Sequence, residues 1–159
     1  MPASPFLCFG ICGKEYKDFV IELNRLVVDC KEINITSWFV SKCLKKLHNK
    51  IVVSYADTLQ GHIGKIYQAC NFLFTGTTKE RTDIGINKNQ HCRHYDKSID
   101  YKTNRIFRSA KHRYIYICGN KKFKKEILKN LNYPICDYPK GETKRYDASY
   151  KPKIQRLLF

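Results

Sequence analysis

The sequence is short of negative charge. Only 14 Asp and Glu stand against 30 Lys and Arg, for a formal net charge of +16 and a pI near 9.6. A chain so unbalanced seeks polyanions. The deficit is concentrated: residues 1–100 hold 14 basic and 10 acidic side chains, whereas residues 101–159 hold 16 and 4. CxxC pairs are also lacking. Cys8 and Cys12 are four apart and Cys30, Cys43, Cys70, Cys92, Cys118 and Cys136 are isolated, which argues against a zinc ribbon with its tight ligand pairs. No apolar run approaches the roughly 20 residues of a membrane span. The opening MPASPFLCFG has no basic region followed by a long apolar stretch, so it does not read as a secretory signal. With no such signal, the eight cysteines read as reduced thiols in a cytoplasm rather than a disulfide scaffold, for which the chain is large. Internal repeats and low-complexity tracts are missing too. What remains is 159 residues, 43% of them hydrophobic, enough for one packed domain and too few for two of full size.

Residues 6–12 and 19–28 (FVIELNRLVV) read as strands, rich in β-branched and aromatic side chains and followed by polar turn residues. Thr36 or Ser37 can cap the helix WFVSKCLKKL, in which Trp38, Phe39, Val40, Cys43, Leu44 and Leu47 recur at helical spacing. IVVSYAD (51–57) has the apolar run of a strand buried on both faces. A short helix over 61–71 and a strand over 72–78 follow. This alternation predicts an α/β (α+β) fold with a crossover helix. Residues 79–110 are polar and basic without a clear period, long for an idle connection, and read either as a functional excursion or as a solvated loop. KHRYIYICG (111–119) alternates as a strand. KKFKKEILKNLN (121–132) is an amphipathic helix with Phe123, Ile127, Leu128 and Leu131 inward. The tail from Tyr133, with three prolines, reads as extended and surface-bound.

In an open α/β sheet, ligands gather outside the carboxyl ends of parallel strands. The end of IVVSYAD delivers Ser54, Tyr55 and Asp57 there, and the helix after it carries His62 and Tyr67. Asp57 could position or deprotonate an amine, and Tyr67 could protonate a leaving group. On spacing alone the commoner reading is an Asp that caps the next helix and a Tyr packed in the core. Lys79, Arg81, Arg93, His94, Lys111, His112 and Arg113 are candidate phosphate contacts, weighed against a solvated basic face. Tyr95, Tyr101 and Phe107 could stack on an extruded base or simply anchor a loop. His91-Cys92-Arg93-His94 is the one dense ligand cluster; its plainer reading is a polar basic loop, and no metal is expected.

The composite SYAD followed by GHIGKIYQACNF, with VIELNRLVV and SWFVSKCLKKL before it and KHRYIYICG and YPKGETKRYDASYKP after it, resembles two related groups. It looks like the C-terminal half of a GNAT acyltransferase, and more closely like the phage Mom family of DNA adenine-modification proteins. The resemblance covers most of residues 6–159. The segment Gly64–Phe72 corresponds to the family's helix-then-strand unit, with Asn71 where a glycine is usual.

The resemblance implies a GNAT-like mixed central sheet flanked by helices. It implies one domain over 1–159: a catalytic strand-helix core at 19–78, a basic excursion at 79–110 and a basic C-terminal strand, helix and tail at 111–159. Asp57 and Tyr67 would be the catalytic pair, with Arg25 beside the site and Ser37 near the donor-binding helix start. Ser54, Tyr55, His62 and Asn71 would contact substrate. The implied activity converts adenine N6 in phage DNA to N6-(methylcarbamoyl)adenine, which protects the DNA from host restriction. Its partner would be double-stranded DNA, reached in the host cytoplasm without a membrane; a homodimer is left open. The donor would be acetyl-CoA or another small acyl or glycyl compound, although Glu32–Ser37 carries none of the glycines of a standard CoA cradle. The resemblance also implies strands and helices ahead of this sequence, which would then begin partway through the strand before ELNRL, through a misplaced start, a truncated gene or a reduced domain. Two other functions are consistent with the residues: an acyl-CoA N-acyltransferase acting on RNA or protein, and a non-catalytic DNA-binding remnant.

Overall fold

A computed structural model describes residues 10–30, 32–84, 105–142 and the short strand at 156–157. The elements are β1 (Val20–Glu22), α1 (Ile35–Lys45), β2 (Lys50–Asp57), α2 (Lys65–Ala69), β3 (Leu73–Thr77), β4 (Arg81–Ile84), β5 (Arg105–Arg108), β6 (Lys111–Cys118), α3 (Lys121–Lys129) and β7 (Arg156–Leu157). The fold is α+β. A four-stranded sheet runs β1-β2-β6-β3, and a three-stranded antiparallel sheet runs β4-β5-β7. β1 and β2 are parallel, joined through α1, while β6 lies antiparallel to both β2 and β3.

The central strands are buried on both faces, which is why their sequences read as nearly continuous apolar runs. On one face Val52 and Ala56 of β2 and Tyr114 and Cys118 of β6 pack with Phe72, Phe74 and Cys70 under Val40 and Leu44 of α1. On the other, Ile51, Val53, Ile115 and Ile117 pack with Ile11, Cys12 and Ile127 of α3. Ile51, Val53, Ile115 and Ile127 are wholly buried, each stabilising the fold by roughly 1.5–3 kcal/mol.

Several expectations are corrected in detail. The strand expected over 19–28 pairs only from Val20 to Glu22, and residues 23–30 are irregular. Of the strand expected at 6–12, residues 6–9 lie outside the described residues and Cys12 makes only an isolated bridge to Leu131. α1 begins before Thr36 and Ser37: its N-cap is Asn34 in the left-handed region (φ 64°), and no side chain caps it. Ser37 sits inside the first turn, its hydroxyl donating to the Asn34 carbonyl at 2.9 Å. Trp38, Phe39 and Cys43 face outward, because only the narrower stripe of Val40 and Leu44 meets the sheet. Leu128 of α3 is exposed as well, leaving Ile127 buried and Phe123 packed beside it. α3 is capped by Asn120, whose side chain accepts from the Phe123 N–H at 2.9 Å.

The excursion at 79–110 contains an antiparallel ladder of β4 with β5; residues 85–104 lie outside the described residues. After α3, the irregular segment 130–142 runs along the outer edge of β3. Cys136 N–H donates to the Phe74 carbonyl at 2.8 Å, and Tyr138 donates to the Phe72 carbonyl at 2.7 Å. An otherwise unpaired sheet edge is thereby covered. No helix among the described residues is long and apolar enough to cross a membrane.

Candidate active site

The parallel strands β1 and β2 pair from Val20 with Ile51 to Glu22 with Val53, and one further bond follows, from Leu23 N–H to the Val53 carbonyl at 2.8 Å. There the two strands part. The next rung is made by a side chain: Ser54, fully buried, donates its hydroxyl to the Leu23 carbonyl at 2.8 Å. A buried hydroxyl at a strand end needs such a partner. Tyr67 reaches the same place from α2, its phenol close enough to the Ser54 hydroxyl to be influenced by it. α2 is tied to the start of α1 by the Cys70 thiol, which donates to the Ser37 carbonyl at 3.6 Å.

Tyr67 stands on an aromatic base. Its ring lies 5.3 Å from Tyr114 and 5.4 Å from Phe72, and Tyr114 in turn lies 5.4 Å from Phe74. Tyr114 is wholly buried; its hydroxyl donates to the Ile63 carbonyl and accepts from Gln68 Nε2 at 3.2 Å. Gly64 lets this ring approach the start of α2. A Cβ built there would lie 2.4 Å from Tyr114 Cε2, and its φ of +74° is itself unfavourable for other residues. Burial pushes the Tyr67 phenol above its ordinary value of 10.0, with the neighbouring Ser54 hydroxyl a smaller, opposing influence. The hydroxyl therefore keeps its proton at neutral pH and can donate it.

Asp57 is placed differently. By strand alternation Ser54 shares the face of Val52 and Ala56, while Asp57 shares that of Val53 and Tyr55. Its carboxylate accepts from Leu59 N–H at 3.0 Å and from the Ser109 hydroxyl at 2.5 Å, and Lys111 Nζ is 3.6 Å away. It caps the short 3-10 turn Thr58–Gln60. Asp57 and Tyr67 thus hold separate sets of partners.

Arg25 is exposed in the irregular chain beyond β1 rather than on a strand. Tyr55 is half-buried against the α3-facing core. His62 is half-buried, its backbone N–H donating to the Asp57 carbonyl at 3.1 Å. Asn71 is exposed between α2 and β3 with φ 59°, the left-handed turn for which glycine is the easier residue.

Among the basic residues, Lys79 and Arg81 are exposed, and Arg93, His94 and the cluster from His91 lie outside the described residues, as do Tyr95 and Tyr101. Lys111 faces Asp57. His112 Nδ1 is 2.8 Å from the Thr77 hydroxyl, and burial lowers its pKa from 6.5. Arg113, 8% exposed, points into the protein rather than toward a surface phosphate. Its Nε donates to Thr75 Oγ1 at 2.9 Å, its Nη2 to the Thr75 carbonyl at 2.7 Å, and its guanidinium lies 3.3 Å from the centre of the Tyr133 ring. These bonds and the ring replace the water that a buried cation loses.

Sequence reasoning missed Thr75, Thr77, Gln68, Ser109 and Tyr133. Their one visible signal was the threonine-rich end of FLFTGTT, where hydroxyls on alternate positions can meet side chains of a neighbouring strand. Among the described residues no group of three or more His, Cys, Asp or Glu is placed to hold a metal.

No curated protein matches the sequence. A family model, that of the Mom protein family, matches residues 9–140, from the segment ahead of β1 to the one that covers the edge of β3. The chain belongs to the Mom protein family.

Proposed function

We propose that the protein is a phage-encoded, GNAT-like transferase that modifies adenine N6 in double-stranded DNA to N6-(methylcarbamoyl)adenine, shielding the DNA from host restriction in the cytoplasm of the infected cell. Family membership supports the DNA-modifying class. The observation that carries the chemistry is the Ser54–Tyr67 pair, where β1 and β2 part at their carboxyl ends. The sheet order β1-β2-β6-β3 with one parallel pair supports the GNAT-like reading.

The implied donor is a small acyl or glycyl compound, acetyl-CoA among the candidates. α1 fits a phosphate-bearing donor in one respect: the N–H groups of its first turn have no partner within the helix. Asn34 takes the left-handed conformation there without a glycine. When bound, the donor would supply the whole methylcarbamoyl group, including its nitrogen, which an acetyl group by itself lacks. Tyr67 would pass the proton of its phenolic oxygen to the leaving group and regain one, through solvent, from the amine that loses it, and Ser54 would stand beside that oxygen. Asp57 would anchor the end of β2 to the turn before β6, positioning the strand rather than touching substrate. Arg25 and His62 would line the mouth on either side. The target base must leave the helical stack to reach this place, and the basic final third would hold the flanking phosphates.

The partner set of Asp57 favours a second reading, a DNA-binding protein without catalysis. Restriction digestion separates the two. Plasmid from cells making the wild-type protein should resist enzymes with adenine in their sites, and plasmid from cells making Tyr67→Phe should be cut. Equal cutting of both, with the proteins folded and abundant, would select the non-catalytic reading.

A further inference from the structure

Away from the Ser54–Tyr67 site, at the other end of β2, a groove of about 420 Å³ opens between the last turn of α1 and the first turn of α3. Lys45 and His48 form one rim and Asn120 and Lys124 the other, over a floor of Tyr116 and Cys118. Lys124 Nζ is held 5.9 Å from the centre of the Tyr116 ring, so its charge is directed across the groove. Lysines continue outward on both sides, as Lys42 and Lys46 near the end of α1 and as Lys121, Lys122 and Lys125 on α3. Among the described residues none of these lysines is ion-paired with a carboxylate. The one acid on α3, Glu126, accepts from the Tyr16 hydroxyl at 2.9 Å instead. Concentrated positive charge with no counter-charge is maintained against self-repulsion, and a groove between two such rims concentrates the field.

We propose that this groove is a second DNA contact, in which Lys45 and Lys124 hold backbone phosphates of the duplex whose target base enters the parting between β1 and β2. The inference rests on the DNA partner of the proposed function but not on its transfer chemistry. At about 3.3 Å of rise per strand residue, Ser54 lies roughly 13 Å along β2 from Lys50, whose partner Cys118 is in the groove floor. Duplex DNA rises 3.4 Å per base pair, so the groove would meet phosphates roughly four base pairs from the target adenine. The contact carries no sequence information; it fixes register and orientation.

The test uses the full chain and a short fluorescent duplex, with affinity followed against salt. Each lost phosphate contact makes the slope of log K against log salt less negative by about 0.9, so Lys45→Gln with Lys124→Gln should make it less negative by roughly 1.8. Both side chains are exposed, so the fold should survive, and thermal melting checks this. A control pair with the same loss of charge elsewhere, Lys17→Gln with Lys129→Gln, should keep the wild-type slope. An unchanged slope in the groove variant overturns the proposal, as does an equal change in the control. So does a groove variant that loses only inorganic pyrophosphate binding while duplex binding stays intact. Modified adenine measured on the same proteins keeps the two readings apart: a slope change without modification sinks only the transfer chemistry, and modification with an unchanged slope sinks only the groove.

Discussion

Gly64→Ala should be one of the more damaging single-carbon changes in the protein, and Gly76→Ala shows why. Both glycines have positive φ, +74° and +89°, where an L-residue is strained by roughly 1–2 kcal/mol. Both substitutions also recover about 0.4–1 kcal/mol by stiffening the unfolded chain. They differ in surroundings. A Cβ at position 76 meets nothing within 4 Å, so about 1 kcal/mol of strain is the whole effect. At position 64 it would sit 2.4 Å from Tyr114 Cε2 and 2.7 Å from Cζ. Tyr114 cannot swing away, because it is wholly buried, bonded to the Ile63 carbonyl and packed on Tyr67 and Phe74. Overpacking of this kind typically costs 1–3 kcal/mol, giving about 2–4 kcal/mol in all. For a chain of this size that lowers Tm by roughly 10 °C. Urea unfolding of both variants measures the difference directly, at unchanged m. Equal losses at positions 64 and 76, or a Gly64→Ala loss below about 0.5 kcal/mol, would refute the packing of Tyr114 against the start of α2 and with it the support of Tyr67.

Two further predictions concern β6. Arg113→Met should destabilise by about 2 kcal/mol in urea unfolding, since it leaves the buried Thr75 carbonyl and hydroxyl without their donor. The same variant should leave the salt dependence of DNA binding unchanged, because the guanidinium faces the interior. His112 has its pKa lowered by burial, so its contribution to stability is full above 6.5 and is lost as pH falls through the folded-state value. Melting temperature should therefore drop as the solution is acidified below 6.5, and His112→Gln should flatten that part of the profile.

The elements that the sequence shows well are those whose burial is uniform. β2 and β6 are covered on both faces, so their apolar runs survive any error of register, and α3 has one clear stripe from Phe123 to Ile127. α1 misleads because its apolar residues span more of the helix than the sheet can cover: Val40 and Leu44 are buried while Trp38 and Phe39 are exposed. Its start lies ahead of Thr36 and Ser37 because Asn34 adopts a left-handed conformation, for which the sequence shows only a turn-prone residue. Chain order could not reveal that β6 inserts between β2 and β3, since the strand-helix-strand pattern is the same whether or not a later strand intervenes. At the candidate site, Ser54 and Tyr67 were legible as residues at a strand end and on the following helix. The division between Tyr67 and Asp57 was not. It depends on strand parity at the end of β2 and on Ser109, 52 residues away in sequence. The capping role that spacing favoured for Asp57 is the one found.

The central claim is that this chain modifies adenine in DNA with Tyr67 as proton donor. It is tested most directly by mass spectrometry of nucleosides from total DNA of cells expressing the wild-type protein or Tyr67→Phe. The wild-type sample should contain N6-(methylcarbamoyl)adenine, reduced roughly 100-fold or more with Tyr67→Phe, the scale of general-acid catalysis. Only unmodified adenine from cells rich in folded wild-type protein, or equal modification by both proteins, would contradict it.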